Sequence, residues 1–157
     1  MDELKGIEIL NQFFTTWLHE HDFDIDAEMG SEFSVDLGHN ILHYAPYYNP
    51  DSAKIFLEEV QKEFPEIVSC DDTILAFFHE IGHVETENEW EDKDWEEYEK
   101  FIANCTDDRK YFRHPIEWRA TEWGCQYILD NVEEISNFWD KMCILMQWFY
   151  TINRIED

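Results

Sequence analysis

Apolar positions Leu4, Ile7, Leu10, Phe13, Phe14, Trp17 and Leu18 recur at three- and four-residue intervals. They predict an amphipathic first helix over 2–19 with an inward aromatic stripe. His19 and His21 follow beside Glu20 and Asp22, and read as solvated charge at the helix end. Between Ser31 and Tyr48 the period shortens: Phe33, Val35 and Leu37 alternate with polar residues, Gly38-His39-Asn40 makes a turn, and Ile41–Tyr44 resumes an extended run. This predicts a β-hairpin. Asn49-Pro50-Asp51-Ser52 opens a second helix that buries Ile55, Phe56, Val60 and Phe64 until Pro65 stops it. Ile67 and Val68 form a short connector. Ser69–Asp72 then resembles a capping box, and the run from Thr73, TILAFFHEIGHV, is apolar nearly all round, as in a helix at the centre of a fold.

The segment Glu85–Asp108 interleaves carboxylates with Trp90, Trp95, Tyr98, Phe101 and Ile102, and its latter part has helical spacing. The acidic run reads as a solvated face, with a lip for a basic substrate as the alternative. Charge reverses at Arg109, Lys110, Arg113 and Arg119, which either balance the acidic segment or hold a substrate carboxylate. His114-Pro115 opens another helix, because proline suits the first helical position. The last helix, Val132–Asn153, has a wide apolar face built from Phe138, Trp139, Met142, Ile144, Leu145, Met146, Trp148, Phe149 and Tyr150. It completes a core, with a dimer face or a partner groove as the alternative. The pattern as a whole is α+β and mostly helical, and 157 residues suit a single domain, 1–157.

Composition changes this picture in two ways. At 44% hydrophobic and 17% aromatic the chain can bury a substantial core, which disfavours disorder. A net charge of −26 disfavours any nucleic-acid ligand, whose phosphates need clustered Lys and Arg. Its commonest meaning is a soluble, self-repelling surface; it also suits a basic protein partner, or imitation of a nucleic acid. Cys70, Cys105, Cys125 and Cys143 lie far apart, with no CxxC pair. The opening MDELKGIEILNQFF is acidic and amphipathic, unlike a secretory leader, and no run reaches the ~18 apolar residues of a membrane span. A cytoplasmic location is expected, without a membrane partner; the oligomeric state is left open.

The candidate chemistry lies in His79-Glu80-Ile81-Gly82-His83. On a helix, residues four apart are about 40° apart in angle and roughly 6 Å apart along the axis, so His79 and His83 can grip one ion. Glu80 then stands where a carboxylate can take a proton from an activated water. So short a pattern arises by chance and needs a third ligand. Glu117 lies in the first turn after Pro115, on a face continued by the small residues Ala120, Thr121 and Gly124, so its helix can approach the HEIGH helix closely. Glu122, the competitor, is about 140° around the helix, nearer Arg119 and Gln126. Two imidazoles and one carboxylate leave a zinc ion an open position, as catalytic sites do.

These two motifs, His79-Glu80-Ile81-Gly82-His83 and then Glu117, Ala120, Trp123 and Gly124, resemble those of the ImmA/IrrE-like zincin metallopeptidases. Their pattern is HExGH followed by E-x-x-A-x-x-(aromatic)-(small). Thr121 stands where asparagine is frequent and Gly124 where alanine is usual. The resemblance implies a zincin-like fold, with a small N-terminal hairpin or sheet beside the HExxH helix and a Glu-ligand helix after it. It implies a Zn2+ endopeptidase of the gluzincin type, with His79, His83 and Glu117 as ligands and Glu80 as general base. It further implies a specific intracellular protein substrate, such as a regulator of a phage or mobile element. His43, Tyr44, Tyr111 and His114 are the candidate stabilisers of the transition state, by nearness in sequence to the motif elements. The alternatives are an acidic inhibitor or decoy that binds a basic nucleic-acid-binding protein, the zinc site being structural or vestigial, and a zinc-dependent module of a phage–host interaction.

Overall fold

The computed structural model describes residues 3–45, 50–67 and 72–156. It is mostly helical, with one small three-stranded sheet. The chain forms two compact units, Met1–Tyr47 with Asn131–Asp157, and Tyr48–Asp130.

The first unit holds α1 (Glu3–Glu20), β1 (Asp26–Met29), β2 (Ser34–Asp36), β3 (Ile41–Tyr44) and α7 (Val132–Glu156). The expected stripe is present: Leu10, Phe14, Trp17 and Leu18 are buried. Phe13 and Trp17 of α1 stack on Phe138 of α7 at 5.4 and 4.4 Å between ring centroids. β2 and β3 form the expected antiparallel hairpin, with Ser34 opposite His43 and Asp36 opposite Ile41. In its turn Asn40 takes a left-handed φ of 52°, a conformation asparagine tolerates because its side chain bonds locally.

β1 is an addition to the sequence reading. It pairs in parallel with β3, giving the order β1-β3-β2. DAEM has little strand propensity, and its other edge is completed by helix side chains: Ala27 N–H donates to Thr15 Oγ1 at 2.9 Å and Met29 N–H to Asn11 Oδ1 at 2.9 Å. His21 also departs from expectation. Its ring stacks on Trp17, its Nδ1–H donates to the Trp17 carbonyl at 2.7 Å, and its Nε2 lies against Glu134 of α7. It is part of a packed helix pair rather than a solvated end.

The second unit holds α2 (Pro50–Glu63), α3 (Asp72–Thr86), a 3-10 turn (Glu87–Glu89), α4 (Asp92–Asn104), α5 (Asp108–Arg113) and α6 (Pro115–Asp130). The capping-box residues Ser69–Asp71 lie outside the described residues. As its all-round apolarity predicts, α3 is central: Ile74, Leu75, Phe77, Phe78 and Ile81 are all buried. α6 packs along it with almost no space between backbones. A Cβ on Gly82 would lie 2.2 Å from the Ala120 carbonyl oxygen, and one on Gly124 would lie 2.9 Å from the Phe78 carbonyl. Glycine at both positions permits this approach.

The short α5 has no apolar periodicity, and the sequence reading omits it. Asp107 caps it by accepting the N–H of Arg109 at 2.9 Å and of Lys110 at 3.4 Å. Its cations turn to α2: Arg109 meets Glu58 and Glu59 at 2.7 and 2.9 Å, and Arg113 meets Glu59 and Glu63 at 2.8 and 3.4 Å. Arg119 pairs with Glu89 of the acidic segment at 2.8 Å. Balance within the unit thus engages these three arginines, and α2 supplies much of it.

Candidate metal centre

α3 projects His79 and His83 from one face, one helical turn apart, with ring centroids 4.7 Å apart. α6 brings Glu117 to them from its first turn, because Gly82 and Ala120 let the two backbones meet at that level. Glu117 Oε2 lies 3.3 Å from His79 Nε2 and 2.7 Å from His83 Nε2. Exposure of the three residues is 7%, 8% and 2% in chain order. One ligand atom from each lies within 4.8 Å of the others, so this buried group could hold a metal ion. Glu122 is exposed, as expected of the rejected alternative.

The hydrogen bonds around the group decide which atoms face inward. Thr121 Oγ1–H donates to the Glu117 carbonyl at 3.1 Å, so Oγ1 is left to accept Nδ1–H of His79 at 2.8 Å. Nδ1 therefore carries the hydrogen and the Nε2 lone pair points at the Glu117 carboxylate. Two electron-pair donors facing each other in a buried site need a cation between them, either a proton or a metal ion. The donor set, two imidazole nitrogens and one carboxylate oxygen, is one that Zn2+ accepts.

Charge in the group is strongly coupled. For Glu117 burial is the largest influence and opposes ionisation, yet the hydrogen bonds and charges of His79 and His83 outweigh it and hold the carboxyl well below the usual range. Burial likewise opposes protonation of His83, but its Glu117 hydrogen bond and the charges of Glu117 and Glu80 raise its pKa. Glu80 follows His79 on α3 and is itself 9% exposed. From α2, Phe56 sets its ring edge-on to His79 at 5.5 Å, an apolar wall on that side.

Tyr111 and His114 lie in this unit. Tyr111 O–H donates to Glu117 Oε1 at 2.6 Å. His114 packs against Tyr98 and Phe101, and its Nδ1 accepts the Ile116 N–H at 3.2 Å. Burial, opposed by Glu117 and Glu97, lowers its pKa. His43 and Tyr44 belong to β3 of the first unit. Tyr44 is a core residue there, its hydroxyl donating to Asn11 Oδ1 at 2.6 Å, and His43 lies 3.4 Å from Ser34 Oγ and 3.9 Å from Glu28.

Two residues next to the candidate ligands escape the sequence reading. Tyr98 O–H donates to Glu117 Oε1 at 2.9 Å, and Thr121, which the sequence marks only as a small residue at a motif position where asparagine is frequent, orients His79. The amphipathic spacing of Trp95, Tyr98 and Phe101 turns Tyr98 inward, and a phenol partly withdrawn from water needs an acceptor; that is the signal available for it. Burial first, then the Glu117 charge, raises the pKa of both Tyr98 and Tyr111, so both phenols stay protonated and donate.

The chain is thus a mostly helical α+β protein with a buried His-His-Glu group able to hold a metal ion. Comparison with protein-family models, curated proteins and solved structures returned no match. Among the described residues no helix is long and apolar enough to cross a membrane.

Proposed function

We propose that the protein is a zinc-dependent peptidase of zincin type, holding Zn2+ through His79, His83 and Glu117. The observation that carries this reading is the buried convergence of His79 Nε2, His83 Nε2 and Glu117 Oε2 beside Glu80, whose carboxylate a purely structural site does not need. The resemblance of the two motifs to ImmA/IrrE-like metallopeptidases supports it. A bound zinc supplies Lewis acidity for peptide hydrolysis. Glu80 takes the proton of the attacking water and delivers it to the leaving amine, the usual duty of a carboxylate one position after the first histidine. Thr121 keeps His79 in the tautomer that presents Nε2. The substrate class is a specific intracellular protein, such as a regulator of a phage or mobile element, and the net charge of −26 favours a basic one.

The test is cleavage of a proteome-derived peptide mixture, read by mass spectrometry of new termini. Zinc-loaded wild type should generate new termini, and zinc-loaded Glu80→Gln should not. Zinc content of Glu117→Ala should fall below that of wild type. Zinc retained by wild type and Glu80→Gln with no cleavage by either overturns the peptidase. The same −26 charge then favours the second reading, an acidic protein that captures a basic nucleic-acid-binding partner.

A further inference from the structure

Glu117 makes contacts of different kinds through its two carboxylate oxygens. Oε2 faces the histidines, at 3.3 Å from His79 Nε2 and 2.7 Å from His83 Nε2. Oε1 accepts two phenol hydrogens, from Tyr111 at 2.6 Å and Tyr98 at 2.9 Å. A carboxylate oxygen offers about two lone-pair sites, so two O–H donors fill Oε1. Hydrogen bonds to an ionised acceptor are also about twice as strong as neutral ones.

We infer that Tyr98 and Tyr111 are positioning residues, a pair of hydroxyls that occupies Glu117 Oε1 and commits Glu117 to hold the metal through Oε2 alone. This rests on the metal reading above. Its consequence is coordination number: a carboxylate that binds through both oxygens takes an extra position, whereas a one-oxygen grip leaves that position for water or substrate.

The phenols come from separate helices, Tyr98 from α4 and Tyr111 from α5, so neither helix alone sets the geometry. α5 is only six residues long, but it is tethered. Arg109 and Arg113, two residues either side of Tyr111, bind Glu58, Glu59 and Glu63 of α2. Glu59, only 4% exposed, also accepts a hydrogen bond from Lys62 at 2.9 Å. Arg109 and Arg113, two of the four cations that the sequence left between two roles, thereby tether α5 on both sides of Tyr111. Tyr98 is steadied by His114, whose ring packs against it at 5.0 Å between centroids.

The probe is Co2+ in place of zinc, whose visible absorption is strong at four-coordinate sites and weak at higher coordination. Wild type should give the strong four-coordinate spectrum. Tyr98→Phe with Tyr111→Phe removes both hydroxyls while keeping the rings, and should lose most of that absorption as Oε1 turns to the metal. If the double variant does not fold by circular dichroism, Tyr111→Phe alone carries the decision, through a partial loss of the same kind. A merely structural role for the phenols would lower the melting temperature of the metal-free protein and leave the spectrum unchanged. An unchanged spectrum in the folded variant overturns the clamp alone, and so does a wild-type spectrum that is already weak. Wild type that takes up neither Co2+ nor Zn2+ overturns the metal reading and the clamp with it.

Discussion

Thr121 shows how much one hydroxyl can decide. It connects the Glu117 carbonyl to His79 Nδ1, and so chooses which ring nitrogen faces the carboxylate. Thr121→Val keeps the shape but leaves a buried N–H without an acceptor and frees the ring to change tautomer. Zinc affinity, measured by chelator competition, should fall by about 10-fold to 100-fold, and Thr121→Ser should retain most of it. Equal affinities in wild type and Thr121→Val would remove Thr121 from the site. The three candidate ligands were legible in the sequence, since His79 and His83 follow from helical pitch and Glu117 from the small residues on its face. Tyr98 and Tyr111 were not legible as partners of Glu117, because no local rule connects residues that meet only when α4, α5 and α6 converge.

At the scale of elements, the centre depends on how closely α3 and α6 approach. Gly82→Ala sets two effects against each other. Alanine favours a helix interior by about 1 kcal/mol, yet its Cβ would sit 2.2 Å from the Ala120 carbonyl oxygen, and that contact is backbone, which cannot rotate away. The clash wins: the helices must separate, at a cost of about 1–3 kcal/mol, and Glu117 moves away from the histidines. Thermal unfolding followed by circular dichroism should show a lower midpoint, with weaker zinc binding. Unchanged stability would mean that the helices have room to spare. α1, α2, α6 and α7 announce themselves by apolar periodicity or by Pro50 and Pro115, α3 by its all-round apolarity, and the β2–β3 hairpin by alternation. β1 and α5 do not, since β1 borrows acceptors from α1 and α5 borrows carboxylates from α2.

Over the whole molecule charge sets the terms, with 37 acidic against 11 basic side chains. Their repulsion weakens as carboxylates protonate or salt is added. Glu59 behaves in the opposite sense. Lys62 first, then Arg113 and Arg109, hold its pKa at about 2 against its burial, below an ordinary value of 4.5. A carboxyl depressed on folding stabilises the fold above its unfolded pKa, and that contribution is lost as pH falls through the folded value. With its cationic partners partly in solvent, the contribution is on the order of 1–2 kcal/mol. The difference in urea-unfolding free energy between wild type and Glu59→Gln should therefore be full near neutral pH and narrow below about 4.5. A difference that stays constant with pH would exclude the ionised carboxylate as its source.

The sequence by itself determined the local properties: the long helices, the hairpin, the pairing of His79 with His83 and the acidic surface. Each follows from residue spacing or composition. Only the tertiary structure decided that Glu117 Oε2 turns to the histidines while two tyrosines occupy Oε1, and that α5 is anchored through Glu59. Those outcomes depend on contacts between residues distant in the chain, where geometry rather than pattern selects the partner.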